Sequence, residues 1–216
     1  MTRMTALQIK QLNFMNEAAR KSTLGTRLDA LEFGDVVSPS AGTVAPYSVV
    51  MYETHPAIGT ATYVHAAIAL GAAAQDIATG ITNPDYARFL SVKGNATMSG
   101  NVIITGTDIN GAACTDTIAL SNSSEVAGDV AFKTVTNINV PIKTNSSGDT
   151  VSVGVGNKFG FPIAIPNASA VLAKSFDLVV DAGTVTAGTT AKTSVYSPAG
   201  AASLNGTKLL QLWFVA

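Results

Sequence analysis

Charge is scarce in this chain of 216 residues, because only 12% of them are charged and the formal net charge is −1. This share is about half of that in ordinary soluble proteins. A nearly neutral chain has no overall attraction to nucleic acid or to anionic membranes, so we expect neither as a partner. Hydrophobic residues make up 47% of the sequence, which excludes a typical charge-rich disordered protein.

Cysteine and histidine are also rare. Cys114 is the only cysteine, so the chain cannot form an internal disulfide. The two histidines, His55 and His65, are too few and too widely spaced for an ordinary zinc site. No hydrophobic signal peptide is visible, and the longest apolar block, residues 66–74, is far shorter than the ~20 residues that span a bilayer. We therefore expect a protein made in a cytoplasm and independent of membranes.

The motifs of common enzymes are missing as well. The sequence has no Gly-x-Ser-x-Gly nucleophile elbow, no His-Glu-x-x-His and no Walker A loop. Asp108 and Asn110 begin like a calcium loop, but the remaining oxygen ligands do not follow. Gly154, Gly156 and Gly160 lack the spacing of a dinucleotide fingerprint, and we interpret them as turn glycines. The sequence predicts no enzyme activity, no cofactor and no metal.

Short β-rich segments dominate the remainder of the chain. Residues 102–108 and 114–120 flank Asn110-Gly111, a pair that favours a β-hairpin because both residues tolerate the positive φ angles of a type I′ turn. A polar loop is predicted at 121–128, and a third strand at 131–140, which ends at Pro141.

Similar segments at near-regular spacing predict about nine short strands without βαβ alternation. We therefore expect an all-β fold, a β-sandwich or barrel. The other predicted strands and extended segments are 47–53, 62–70, 88–92, 150–155, 161–166, 170–180, 184–186 and 208–215, with a turn at 156–160. The last of these is almost wholly apolar, which is typical of a strand buried on both faces.

The N-terminal region has a different pattern. Residues 1–35 predict an amphipathic helical arm, 36–46 a linker rich in Pro, Gly and Ser, and 47–216 the β domain. The arm could pack on its own β domain or dock on a neighbouring subunit, whereas its polar face of mixed charge disfavours a membrane surface. Its candidate partner-binding residues recur at helical spacing: Leu7, Leu12, Met15, Leu24, Leu28 and Leu31.

Several segments resemble a pattern in small structural proteins of tailed bacteriophages and prophages. The resemblance covers about residues 60–216 and excludes the arm. The segment 151–162 is similar to that family's V-x-V-G-x-G-D-K-L-G-L-P, although Asn157 stands where the pattern usually has Asp. The other similar segments are 79–85, 102–111, 117–120, 126–138 and 204–206.

This resemblance implies a virion component without catalysis, assembled in the host cytoplasm. We expect a head decoration (cement) protein that binds the major capsid protein or other virion proteins and forms a homo-oligomer, with a trimer favoured. The resemblance transfers no catalytic or binding residues. A neck, collar, tail or fibre-base protein is the alternative, and a carbohydrate- or receptor-binding domain is a further one, which the scarcity of aromatic residues disfavours.

Overall fold

The computed structural model describes residues 49–145 and 148–215, and these form an all-β fold of three sheets that include one half-barrel. The predicted all-β class is therefore confirmed. The predicted arm 1–35 and linker 36–46 lie outside the described residues, as do the candidate partner-binding residues Leu7, Leu12, Met15, Leu24, Leu28 and Leu31.

Sheet I contains the first and the last described strands. Its spatial order is β1-β14-β10-β11, and all of its pairs are antiparallel. The four strands are β1 (Val49–Thr54), β10 (Val171–Phe176), β11 (Val179–Val180) and β14 (Leu210–Val215).

Sheet II has the order β12-β13-β9-β4-β7, and β2 pairs with β9 beside this path. The longest strand, β9, pairs with β4 along one edge and with β2 and β13 along the other. The strands are β2 (His65–Ala69), β4 (Arg88–Gly94), β7 (Glu125–Phe132), β9 (Thr150–Gly160), β12 (Thr184–Thr186) and β13 (Val195–Ser197).

Sheet III contains the hairpin predicted around Asn110-Gly111, in the order β3-β8-β5-β6. Its strands are β3 (Gln75–Ile77), β5 (Asn101–Thr107), β6 (Ala113–Ala119) and β8 (Thr134–Val140). Three short 3₁₀ turns complete the described structure: Ala168–Ala170, Ala191–Thr193 and Ala201–Ser203.

Two large apolar cores and a small third cluster around Phe89 lie within the described residues. Sheets II and III enclose the first core, to which β9 contributes Val151, Val153 and Val155. The inner face of sheet I and the far end of β9 enclose the second core, which contains Phe159 and Phe214. Because β9 contributes to both cores, the two parts of the fold share one strand.

The number of strands differs from the prediction. The described residues form fourteen strands, whereas about nine were expected. One reason is that the predicted strand 131–140 is divided at Lys133, whose amide donates to the carbonyl of Thr107 at 2.8 Å. Before Lys133 the chain pairs with β4 in sheet II, and after it the chain pairs with β5 in sheet III. The apolar pattern continues through this change of sheet, so the sequence did not reveal it.

Two predicted loops are wrong for related reasons. The polar loop 121–128 is only a short turn, because β7 begins at Glu125 and pairs with β4. The predicted turn 156–160 is a continuation of β9. A glycine earlier in β9 allows a loop to approach the strand closely: a Cβ on Gly154 would lie 2.2 Å from the carbonyl oxygen of Thr60, in the segment between β1 and β2.

The central hairpin is confirmed, but its turn is of another type. Only Gly111 has positive φ, at 79°, and the Gly111 amide donates to the Asp108 carbonyl at 3.1 Å. The Asp108 amide donates in turn to the Ala112 carbonyl at 2.9 Å. This pattern is typical of a three-residue loop, a type I turn followed by a glycine bulge, and not of the expected type I′ turn.

Candidate interaction surface

The two faces of sheet I differ in their surroundings. Leu210, Leu212 and Phe214 of β14 are fully buried in the second core. Gln211, Trp213 and Val215 alternate with them and are only half-buried. The terminal segment predicted to be buried on both faces is therefore fully buried on one, and the described residues leave the other face of the sheet partly exposed.

This solvent-side face is apolar over much of its area. Strand register places Met51 opposite Trp213 and Trp213 opposite Ala173, while Val49 lies opposite Val215. Met51 is 48% exposed and Val49 43%. With Val180, these residues define what we call the outer surface: Val49, Met51, Ala173, Val180, Trp213 and Val215.

A polar row lies beside the apolar part of the outer surface. Glu53, Gln211 and Ser175 occupy adjacent strands in register. The Ser175 hydroxyl donates to Gln211 Oε1 at 3.0 Å, and Gln211 Nε2 donates to the Glu53 carboxylate. These side chains satisfy one another, so the row can border an apolar contact without leaving a buried polar group unpaired.

The β10–β11 hairpin extends from the same sheet and exposes further apolar side chains. Leu178 is 78% exposed and Val179 68%. Both residues of the two-residue turn have positive φ, 53° at Asp177 and 64° at Leu178. A leucine rarely adopts this conformation, since its Cβ meets the backbone. Strained backbone and exposed apolar side chains therefore coincide at this tip, a combination that is frequent at binding sites.

Scattered exposed apolar residues are normal on protein surfaces, but a contiguous group of them is typical of an interaction site. Eight large apolar residues are exposed within the described part of the chain, and five of them lie in sheet I or at its hairpin tip. Val49, Met51 and Val180 lie on the outer face, whereas register places Val179 opposite the inward-facing Phe176. This concentration makes sheet I the candidate interaction surface. Sequence reasoning missed it, because nothing in the sequence tells which face of an apolar strand remains uncovered.

The buried charges of the body, by contrast, have structural partners. Arg88 is completely buried, and its Nη2 donates to Asp85 Oδ2 at 2.8 Å, while its Nε lies 2.6 Å from Asp85 Oδ1. The guanidinium also lies 4.9 Å from the ring centroid of Phe159. Burial lowers the pKa of Arg88, and the carboxylate of Asp85 opposes this shift. This ion pair fastens the start of β4 to the loop before it.

Asp181 is a second buried carboxylate with several donors. Its Oδ2 accepts from the amides of Gly183 and Ala199, each at 3.1 Å, and from the Tyr196 hydroxyl. Burial, and then the hydrogen bond to Asp181, raise the pKa of Tyr196. These contacts connect the loop after β11 to β13, which explains why a carboxylate is buried there.

Asp149 fastens a loop in the same way. The Asn145 amide, at 2.7 Å, and the Thr144 amide, at 2.8 Å, both donate to its Oδ2. Hydrogen bonds from Asn145 are the main cause of its lowered pKa. The carboxylate thus closes the turn that leads into β9.

The residues considered for metal or catalytic chemistry have ordinary surroundings. Asp108 Oδ1 accepts from the amides of Asn110 at 2.9 Å and Ala112 at 3.0 Å, which is turn chemistry. Cys114 is buried, and burial raises its pKa to about 11. The Nδ1 atom of His65 lies 3.0 Å from the carbonyl oxygen of the next residue. Within 49–145 and 148–215, no group of three His, Cys, Asp or Glu side chains could hold a metal ion.

Two further observations complete the description. In the described part of the chain, no helix is long and apolar enough to cross a membrane. Comparisons of the chain with protein-family models, curated proteins and solved structures found no match. The fold places the described chain in the all-β class.

Proposed function

We propose that this protein is a structural component of a tailed-phage virion, a decoration protein that binds the major capsid lattice and stabilises the head. The outer surface of sheet I is the observation that carries the proposal. An apolar sheet face with exposed Met51 and Val49 suits a permanent contact between proteins, since permanent interfaces are more apolar than transient ones.

The resemblance to phage structural proteins supports the same role. Its segments 102–111, 117–120, 126–138 and 151–162 fall on β5 to β9 and their turns, which form the first core. Asn157, the position that departs from the family pattern, lies in β9, and its Oδ1 accepts from the Gly59 amide at 2.7 Å. An Asp carboxylate could accept the same bond, so the difference leaves the local structure intact.

In this proposal the outer surface is one half of a contact between copies, and the arm is the other half. Residues 1–35 of one copy dock their apolar stripe on the outer surface of a neighbouring copy, and a homo-oligomer, with a trimer favoured, sits on the capsid. Many such contacts in one particle add avidity without requiring a strong individual contact. The protein acts by assembly, without a catalytic step, a cofactor or a metal.

Deletion of residues 1–35 tests the role of the arm. We expect the shortened protein to keep the cooperative unfolding transition of the β body but to lose binding to capsids, measured by co-sedimentation with heads that lack the protein. The full chain is the matched control. If the shortened protein binds capsids as well as the full chain does, the arm does not mediate capsid binding.

A further inference from the structure

The outer surface of sheet I lacks a covering layer among the described residues, although the opposite face of the same sheet is buried in the second core. Trp213, the only tryptophan of the chain, lies at its centre between Met51 and Ala173. Removing such apolar side chains from water contributes ~25 cal/mol per Å² of buried area. A covering segment would therefore stabilise the protein.

The chain contains a segment of matching character immediately before this surface. Residues 5–33 carry two apolar groups at helical spacing, one with Leu12 and Met15 and one with Leu24 and Leu28. The two groups would fall on different sides of one continuous helix, so each is the stripe of its own half, and each requires an apolar partner. We infer that, in the isolated protein, the chain's own residues 5–33 pack these two stripes against the outer surface of sheet I. The inference concerns the free protein and does not rest on the proposed virion role.

The position of the connection supports the chain's own segment as the occupant. The described structure begins at Val49, which itself belongs to the outer surface. Residues 34–48 can reach about 50 Å when extended, whereas a six-residue strand such as β1 is ~20 Å long. The arm can therefore reach every part of the surface.

Tethering also favours this arrangement over a contact between separate molecules. A connection of this length gives a local concentration in the millimolar range, far above that of a second copy in dilute solution. About 13 helical residues cover 20 Å, so half of the segment is enough to span the sheet. At high local concentration on a capsid, the same contact can be exchanged between copies, as in domain swapping.

Tryptophan fluorescence tests this inference on the full-length chain, because Trp213 alone reports on the outer surface. The variant L12D/L24D/L28D places carboxylates in the apolar stripe of both halves of the arm. We expect its emission to shift to longer wavelength and its quenching by acrylamide to become more efficient than in the wild type. Emission and quenching equal to those of the wild type would overturn the inference.

The matched control is N13D/T23D/T26D, which adds the same three carboxylates at positions that helical spacing places off the two stripes. We expect wild-type fluorescence from it, and a shift as large as that of the first variant would attribute the effect to charge and contradict specific packing. Thermal unfolding shows that each variant keeps its folded body. The wild-type spectrum should not change on dilution, since a dilution-dependent shift would identify a second copy as the occupant.

Discussion

The backbone of Leu178 is the clearest case in which one residue contradicts ordinary preference. Its φ of 64° lies in the left-handed region, and its side chain is 78% exposed, so burial does not compensate for the strain. The neighbouring Asp177 shares positive φ, at 53°. Strain in an exposed turn is a feature that clusters at ligand-binding and switch regions of proteins.

Replacing Leu178 with Gly should therefore stabilise the isolated protein. The substitution relieves left-handed strain of about 1–2 kcal/mol and creates Asp-Gly, a preferred pair for this kind of turn. We expect the free energy of unfolding, measured with urea, to rise by up to about 1 kcal/mol, because the added chain entropy of glycine offsets part of the gain. The control V179G, in the adjacent strand without positive φ, should destabilise the protein. A loss of stability in L178G would show that the turn is not strained.

The sequence could predict some of these turns but not others. Asn110-Gly111 indicated a hairpin correctly, yet only Gly111 adopts positive φ, because the Asp108 side chain organises a longer loop. The type I′ pattern of two positive φ angles occurs instead at Asp177 and Leu178, where leucine gives no signal for it. Local preference fails there because the pairing of β10 with β11 fixes the turn.

At the level of elements, β6 and β7 are joined by a side chain. Asp116 of β6 points inward, and its Oδ2 accepts from the amides of Asp129 at 2.9 Å and Val130 at 3.3 Å in β7. No backbone ladder pairs these two strands in the described structure. An inward-pointing charge on an edge strand also discourages pairing with other chains.

Because Gly128 has no side chain, it leaves room for the Asp116 carboxylate. A double-mutant cycle tests whether the two positions depend on the same contact. A Cβ at Gly128 would lie 2.1 Å from Asp116 Oδ2. We expect G128A to displace the carboxylate and to cost about 1–3 kcal/mol of unfolding free energy, as D116A should, since both leave amides without their acceptor. The double variant should cost clearly less than the sum of the two. Additive costs would contradict a shared contact.

The order of the strands was harder to predict than their existence. The segments at 88–92 and 150–155 lie in strands, and those at 102–108 and 114–120 do so except for their last residue, since alternation and β-branched residues are local signals. The change of sheet at Lys133 and the continuation of β9 through its glycines depend on partners distant in sequence. Local patterns carry no information about such partners, so they were predicted wrongly.

On the scale of the whole molecule, β9 connects two apolar cores, and the described residues leave the outer surface of sheet I partly exposed. The sequence indicated an amphipathic segment at 1–35 but did not reveal the apolar outer surface of the β body. That surface became visible only from strand register, which places Met51 beside Trp213 although the two are far apart in the chain. This apolar face is the feature of the body that the proposed assembly on a lattice would use.

The central claim is that this body decorates a phage head, and locating the protein in an image of the intact virion tests it most directly. We predict density for the β body at regular positions over the outer head shell, with hundreds of copies in each particle. Density confined to a small ring at the neck or to the tail, or no copies in the particle, would contradict the account.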